Sequence, residues 1–254
     1  MEEYIKWLHK KHGVEISSKT TTHYESVTDR MKRDLEGSDF WEELGRNLRE
    51  YNDEYKISTG YPLLARTDLQ LQTKPYNSFL LKTYRKNVVE NKQWPEEPAS
   101  GWLLPINWFS KVNDILRSLV VVKYLDGVQF MSERVKQLCE SHDQRCRTFF
   151  EAREEGYYAA HLYTGQRFEI PKLTWDTERV DVSIEIQVTT QLQEVIRGLL
   201  HTYYEEQRLR GKREDKWQWD YNSEEFSANY LGHILHYVEG MIMEVREKQK
   251  GSGL

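Results

Sequence analysis

Strand-like segments alternate with amphipathic helical segments through the middle of this 254-residue chain. The run "LRSLVVVKYLDG" (116–127) is rich in Val, and "VSIEIQVTT" (182–190) is an apolar strand pattern that contains a single carboxylate, Glu185. Between the strand patterns, apolar residues recur at helical spacing over 75–91, 128–142 and 191–209. This alternation predicts an α/β or α+β fold, in which a mixed sheet is flanked by helices.

Further elements are expected on either side of these segments. Strands are predicted at 68–73 and, as a pair around Gly156, within 146–170. Helices are predicted at 2–11, at 22–56 with a break near Gly37, and at 224–249. The apolar stripe of the last helix comprises Phe226, Tyr230, Ile234, Val238, Met241 and Val245. We therefore expect an N-terminal helical segment (1–66), a sheet domain (67–211), and a C-terminal helix and tail (212–254) packed on that domain.

The composition bounds the class of protein. Sixteen Tyr and eight Trp supply large buried areas, although only 38% of the residues are hydrophobic. The net charge of −5 argues against a surface generally covered by nucleic acid. The charged N-terminus and the lack of a membrane-length apolar run predict a soluble, cytoplasmic protein without a membrane partner. Cys139 and Cys146 would lie roughly 10 Å apart along a shared helix, beyond disulfide reach, which favours two thiols in a reducing cytosol.

A basic cluster begins at the turn after the first strand pattern. Lys74 lies at the expected start of a helix, where backbone N–H groups point outward. Ser78, Lys82 and Lys86 follow at intervals of four and so share one helix face, with Arg85 beside them. Several fixed cations at a helix N-terminus suit a polyphosphate, whereas a solvated basic face is the alternative interpretation.

Two carboxylates and an aromatic motif accompany the central strands. Asp114 immediately precedes the Val-rich strand, and carboxylates that converge from neighbouring strands commonly hold Mg²⁺ against substrate phosphates. The alternatives are a helix cap or loop residue at Asp114 and a strand whose solvated face carries Glu185. In "GYYAAH", Tyr157 and His161 share a strand face, so the tyrosine ring can stack on a base. An ordinary half-buried strand would show the same pattern.

The order of these motifs resembles that of the RelA/SpoT-type synthetase domain, from about Leu69 to His201. The chain is similar to the small single-domain members, which include small alarmone synthetases and their toxic relatives. The resemblance implies a nucleotidyltransferase-like mixed sheet with extra N- and C-terminal helices. It also implies transfer of pyrophosphate from ATP to the 3′-hydroxyl of GDP or GTP, giving the stringent-response alarmone (p)ppGpp, with Mg²⁺ as cofactor.

The resemblance also assigns roles to residues. ATP would be contacted by Lys74, Ser78, Lys82, Arg85 and Lys86. Asp114 and Glu185 would bind Mg²⁺ and take part in catalysis. Tyr157 would stack on the acceptor guanine, with His161 and Gln187 on the same side, and His201 matches a histidine of the following helix.

Four positions depart from the family pattern. The Gly and Arg that follow the Asp in the family are both replaced after Asp114, the Arg by Leu119, and the nearest arginine is Arg117. Thr189 replaces an arginine, and Leu200 replaces a glutamate. These changes keep two alternatives open. One is a toxin of a toxin–antitoxin or phage-defence system that pyrophosphorylates the 3′ end of tRNA. The other is a degenerate protein that binds a nucleotide or a partner, such as an antitoxin or a second copy of the chain. Basic clusters at 31–34 and 208–216 favour tRNA, and the acidic net charge disfavours it. No "HD" hydrolase motif precedes the first strand.

Overall fold

The computed structural model describes residues 1–171, 176–210 and 217–251, of which 201, 202, 204–210, 250 and 251 are described by their backbone alone. Within these ranges the helices are α1 (Glu2–His12), α2 (Ser18–Glu36), α3 (Asp39–Thr59), α4 (Tyr76–Tyr84), α5 (Trp108–Lys111), α6 (Leu125–Ser141), α7 (Gln191–Arg210) and α8 (Glu224–Gly251). The strands are β1 (Leu71–Thr73), β2 (Leu116–Val122), β3 (Cys146–Ala152), β4 (Tyr158–Pro171) and β5 (Thr177–Thr190). Helix α4 continues as a π-helix over Arg85–Val89.

The five strands form one mixed sheet in the order β1-β2-β5-β4-β3, which confirms the predicted class of a mixed sheet flanked by helices. Strands β3 and β4 are adjacent and joined by a short connection, as antiparallel neighbours are. Strand β5 has β2 on one side and β4 on the other. From Ile184 to Thr190 every residue of β5 is buried, so this part of the strand has no solvated face. Glu185 is therefore a buried carboxylate, with 8% of its surface exposed.

The apolar stripe predicted on the last helix exists, but much of it faces solvent. Tyr230, Ile234, Met241 and Val245 of α8 are 37%, 55%, 49% and 54% exposed. The buried residues of the same helix are Ala228, Asn229, Gly232, Glu239 and Arg246. Helical spacing thus identified which residues share a face of α8, while neighbouring elements cover the opposite, smaller and more polar face.

The chain forms two compact units, each assembled from three segments. The first unit comprises Met1–Ser38, Leu71–Arg117 and Thr164–Glu185. Its α2 packs on β1 and α4, and the ring of Tyr24 stacks on that of Phe79 with centroids 4.6 Å apart. Tyr24, Val27 and Met31, which recur at helical spacing along α2, are all buried.

The second unit comprises Asp39–Gln70, Ser118–Tyr163 and Ile186–Leu254. Its α3 packs on α6, and its α8 packs on α6 and α7. The guanidinium of Arg246, a buried residue of α8, lies 4.4 Å and 4.1 Å from the ring centroids of Tyr61 and Tyr124 and also binds Asp126. This arrangement fixes α8 against the residues that flank α3 and α6. The domain boundaries expected from the sequence stay a prediction.

Three other expectations can be compared with the described residues. Cys139 lies on α6 and Cys146 begins β3, so the two do not share a helix, and both are thiols rather than a disulfide. No helix in the described ranges is both long and apolar enough to cross a membrane. Most of the basic cluster at 208–216 and the tail at 252–254 lie outside the residues that the structure describes.

Candidate functional site

Lys74 occupies the turn between β1 and α4, and contacts of its backbone fix the turn. Its N–H donates to the carbonyl oxygen of Ile115 at 2.8 Å. Its own carbonyl oxygen accepts a hydrogen bond of 2.9 Å from the hydroxyl of buried Tyr24. The helix begins directly afterwards, at Tyr76, because Pro75 fixes its own φ and is suited to a helix start. The lysine that the sequence singled out therefore has a rigid backbone position.

Lys74, Lys82 and Asp114 form a lysine–aspartate cluster in the first unit. The Nζ atoms of Lys74 and Lys82 lie 2.9 Å and 2.8 Å from the two carboxylate oxygens of Asp114. Burial would raise the pKa of Asp114, but attraction to Lys82 and Lys74 outweighs it and holds the pKa at about 2, against an ordinary value of 3.8. The cluster therefore contains an ionised carboxylate and carries excess positive charge near neutral pH.

Burial acts in the opposite direction on the pKa of Lys74, because it disfavours the charged ammonium form. It lowers the pKa of Lys74, although the carboxylate of Asp114 acts to raise it. The neighbouring charges of Lys82 and Arg117 lower it further. An ammonium group held this way, with 11% of its side chain exposed, gains from any additional anion that approaches it.

The other basic residues of the predicted cluster have a different partner. Arg85 Nε and Lys86 Nζ bind the carboxylate of Glu90 at 2.9 Å and 2.6 Å. Lys82 and Lys86 were predicted to share a helix face, but the π-helix that starts at Arg85 rotates the residues after α4 relative to an α-helical register. Ser78 lies half-buried on α4, one turn before Lys82. The structure thus brings Lys74 and Lys82 to Asp114, and Arg85 and Lys86 to Glu90.

The two predicted metal ligands come from neighbouring parts of the sheet. Asp114 lies in the turn before β2, and Glu185 lies on β5, the strand next to β2. Within the described ranges, no group of three or more His, Cys, Asp or Glu side chains is arranged to hold a metal ion. Two carboxylates that share Mg²⁺ with substrate phosphates remain a suitable donor set, since Mg²⁺ in nucleotide sites is usually bound in this way. That the two carboxylates face one cleft stays a prediction.

Tyr157, His161 and Gln187 form a tyrosine–histidine cluster in the second unit. The hydroxyl of Tyr157 lies 3.0 Å from Nε2 of His161 and accepts a hydrogen bond of 2.6 Å from the side-chain amide of Gln187. The three residues were selected from two separate motifs, and the fold brings them into contact. The predictions that Tyr157 presents its ring to a cleft, and that basic residues line the opposite side, stay predictions.

Two glycines determine where Tyr157 lies. Gly156 has a φ of +77°, a conformation that residues with a Cβ rarely adopt, and it packs directly on Gly232 of α8. A Cβ at Gly156 would lie 2.5 Å from the carbonyl oxygen of Asn229 and 2.9 Å from the backbone nitrogen of His233. Tyr158, two residues after Gly156, stacks on His236 of α8 with ring centroids 3.6 Å apart. The turn before β4 is thus seated on α8 by backbone contact.

Three charged residues that contact Tyr157, His161 or Gln187 were missed by the sequence analysis. Glu151 binds Nε2 of His161 at 3.1 Å and Nη2 of Arg153 at 2.7 Å. The guanidinium carbon of Arg153 lies 5.2 Å from the centroid of the Tyr157 ring. Arg197 of α7 donates to the side-chain oxygen of Gln187 at 3.3 Å. The opposite charges at positions 151 and 153 could have indicated an ion pair, whereas no local sequence pattern links Arg197 to Gln187.

The departures from the family pattern have structural consequences. Thr189 is 2% exposed, and its hydroxyl donates to the backbone carbonyl of Tyr158 at 3.2 Å, so this position serves packing between β5 and β4. Arg117 is close enough to Lys74 to affect its pKa. The side chain of His201 lies outside the described residues.

Comparison with solved structures gives several matches to one kind of protein. The chain matches small alarmone synthetase 1 from Bacillus subtilis bound to its product pppGpp, with a TM-score of 0.54, 14% identity, and coverage of 91% of this chain and 97% of that one. A GTP pyrophosphokinase family protein from Streptococcus pneumoniae matches with a TM-score of 0.53, 15% identity, and coverage of 92% and 94%.

The chain has the fold of the small alarmone synthetases. The match extends over nearly the whole of both chains. No protein-family model and no curated protein matches the sequence. At 14% identity, this similarity shows a shared fold.

Proposed function

We propose that this chain is an ATP-dependent pyrophosphokinase that acts on the 3′-hydroxyl of a guanine nucleotide. The acceptor 3′-oxygen attacks the β-phosphorus of ATP and loses its proton to a base. The bond between the β-phosphorus and the oxygen bridging it to the α-phosphorus then breaks, and AMP leaves. The lysine–aspartate cluster in a chain with this fold is the observation that carries the proposal, since it holds two ammonium groups in fixed positions beside an ionised carboxylate.

The donor role follows from the charges of that cluster. In the structure, both oxygens of Asp114 are engaged by lysines. Phosphate oxygens of ATP are better partners for Lys74 and Lys82 than one shared carboxylate, because each lysine can then bind its own anion. Asp114 would then be released to hold Mg²⁺ together with Glu185, and the bound ion would neutralise charge on the triphosphate. The two lysines would stabilise the negative charge that develops on the leaving AMP and the transferred group.

The acceptor role is assigned to the tyrosine–histidine cluster. A base stacked on Tyr157 gains about 1–3 kcal/mol, and a guanidinium against the ring strengthens such a stack. Arg153 contacts the Tyr157 ring and Arg197 contacts Gln187, so two positive charges surround this cluster. They supply charge that the family pattern places at position 189, and they favour an acceptor that carries its own phosphates.

The test is label transfer from ATP. Protein incubated with γ-labelled ATP and GDP, GTP or bulk tRNA should pass the label to GDP or GTP. ATP labelled at the α-phosphate should yield labelled AMP and no labelled acceptor, which distinguishes pyrophosphate transfer from nucleotidyl transfer. Glu185→Gln should abolish transfer, whereas Glu169→Gln, at an exposed position of β4, should leave it intact. Transfer by Glu185→Gln at the wild-type rate would contradict the assigned role of that residue.

The same experiment decides between acceptors. Label on the 3′ end of tRNA and on no free nucleotide would favour the toxin interpretation over alarmone synthesis. Since Arg153 and Arg197 would accommodate the phosphates of either acceptor, the discriminating feature is the base that meets Tyr157. A free guanine nucleotide is our leading acceptor.

A partner-binding role is the second candidate, and the exposed apolar face of α8 favours it. Ile234, Tyr237 and Met241 recur at helical spacing and are 55%, 70% and 49% exposed. We propose a second copy of this chain as the partner. Antiparallel pairing of two α8 helices would place the acidic first turn, Glu224 and Glu225, of one copy near Lys248 of the other.

The mass in solution, measured by light scattering during size exclusion, tests this pairing. Wild-type protein should be at least dimeric at micromolar concentration, and Ile234→Glu should dissociate it. The matched control is Ile57→Glu, which makes the same substitution at a residue of α3 that is 87% exposed, and it should leave the assembly intact. A monomeric wild type would contradict self-association and redirect the search to a different protein partner.

A further inference from the structure

Glu151 connects two groups that both contact Tyr157. It lies near the end of β3, an edge strand of the sheet, and its carboxylate binds His161 and Arg153 with its two different oxygens. The hydrogen bond from His161, opposed by burial and assisted by Arg153, lowers the pKa of Glu151 to about 2. The carboxylate is therefore ionised throughout the neutral range and acts only as a hydrogen-bond acceptor.

An ionised carboxylate at this position determines where His161 carries its hydrogen. Nε2 of His161 lies 3.1 Å from Glu151 Oε2 and 3.0 Å from the hydroxyl oxygen of Tyr157. Because the carboxylate has no hydrogen to donate, Nε2 must carry one. The hydroxyl of Tyr157 then cannot donate to Nε2, and its oxygen can only be a second acceptor of the hydrogen that Nε2 directs at Glu151, so Glu151 decides that histidine is the donor and tyrosine the acceptor.

The same carboxylate also orients the group against the tyrosine ring. Arg153 binds Glu151 Oε1 through Nη2, and its guanidinium carbon lies 5.2 Å from the Tyr157 ring centroid. The backbone N–H of Arg153 donates to the carbonyl oxygen of Tyr157 at 3.0 Å. One carboxylate therefore fixes the histidine at the hydroxyl end of Tyr157 and the guanidinium at its ring.

We propose that Glu151 is the positioning residue of the acceptor cluster: it holds His161 as the Nε2–H form and holds Arg153 on the Tyr157 ring, so that a planar base meets a preoriented aromatic surface. This inference rests on the proposed function for the identity of the ligand, a nucleotide base, but not for the state of His161. The competing explanation is an ion pair that only links β3 to β4, and pairs of that kind contribute little to stability.

The first experiment needs no activity. Protein labelled with ¹⁵N-histidine gives long-range ¹H–¹⁵N correlations that distinguish Nε2–H from Nδ1–H, and loss of signals in His161→Gln assigns this residue. At pH 8.5 the wild type should show the Nε2–H form. Glu151→Ala should move His161 toward the Nδ1–H form, with the hydroxyl of Tyr157 donating to Nε2. A wild-type spectrum with the hydrogen on Nδ1 would overturn the proposal without reference to any variant.

The second experiment measures acceptor use by Glu151→Gln, which keeps the shape and removes the charge. We expect the KM for GDP to rise about tenfold, the equivalent of about 1.4 kcal/mol, with the KM for ATP unchanged. Glu151→Asp should be intermediate. The matched control is Glu169→Gln, which removes the carboxylate of another Glu–Arg pair, to Arg179 at 3.1 Å.

The outcomes separate the two proposals. An unchanged KM for GDP in Glu151→Gln, or an equal rise in both KM values, would reject the positioning role. Absence of transfer by every protein, including the wild type, together with the Nε2–H form of His161, would reject the proposed function while the role of Glu151 in setting His161 stood.

Discussion

The contact between Gly156 and Gly232 offers a sharp test of how Tyr157 is placed. Gly232→Ala adds one methyl group to the buried face of α8, where it would overlap the carbonyl oxygen of Gly156 and lie 2.9 Å from its carbonyl carbon. These are backbone atoms, so neither can rotate away as a side chain would. Gly240→Ala makes the same change on the same helix, where nothing lies within 4 Å of the added Cβ.

The two substitutions share one energetic effect and differ in another. Replacing glycine with alanine inside a helix stabilises it by about 1 kcal/mol. Gly240→Ala should therefore raise the free energy of unfolding by up to about 1 kcal/mol. At Gly232 the same gain is opposed by overpacking, which typically costs about 1–3 kcal/mol. We expect Gly232→Ala to be less stable than Gly240→Ala by about 1–3 kcal/mol.

Thermal and urea unfolding measure this difference. For a chain of this size, 1 kcal/mol corresponds to about 2–4 °C in Tm, so the two variants should differ by roughly 2–12 °C. Because Tyr157 directly follows Gly156, Gly232→Ala should also weaken acceptor use, whereas Gly240→Ala should not. Equal stability of the two variants, or a more stable Gly232→Ala, would refute the inference that backbone contact seats this turn on α8.

Three further predictions follow from individual side chains. Tyr157→Ala should lower kcat/KM for the acceptor by roughly ten- to a hundredfold with ATP binding unchanged, as expected for about 1–3 kcal/mol of lost stacking; equal loss of ATP affinity, measured by calorimetry, would contradict it. Asp114→Asn should lower the free energy of unfolding by roughly 2 kcal/mol at neutral pH, because the folded pKa of Asp114 is about 2 against an ordinary 3.8. That contribution is present above pH 3.8 and is lost toward pH 2. The free energy of unfolding of the variant, measured with urea, should therefore change less with pH over this range than that of the wild type. Burial raises the pKa of Glu239 above its ordinary 4.5, against hydrogen bonds from Thr190 and His236, so the contribution of Glu239 to stability falls as the pH rises from 4.5. The stability of Glu239→Gln relative to the wild type, measured by urea unfolding, should therefore increase with pH from 4.5 upward.

Much of the secondary structure could be predicted because it is encoded locally. The Val-rich run became β2, the pattern around Gly156 became β3 and β4, and the break near Gly37 separates α2 from α3. Apolar spacing records which residues point the same way from a helix or strand, and turn residues mark where an element stops. Both signals lie within a few residues of the position they describe.

The candidate site was predictable only in part, for the same reason. Lys74, Lys82 and Asp114 could be chosen by residue type and position, but their mutual ion pairs join residues 32 and 40 positions apart. Glu90 could have been recognised as a partner of Lys86 from the interval of four. Arg197 could not, because its contact with Gln187 depends on how α7 packs after β5.

The sequence by itself determined the type and order of the elements and the residue types at the lysine–aspartate and tyrosine–histidine clusters. Tertiary structure decided which faces are covered. The stripe on α8 was visible as a pattern, yet it faces solvent because Gly232, on the opposite side, lets α8 approach the backbone of Gly156. Tertiary structure also made Glu151 the common partner of His161 and Arg153. Burial and ion pairing depend on residues that are close in space but distant in sequence. The local sequence pattern does not encode those contacts.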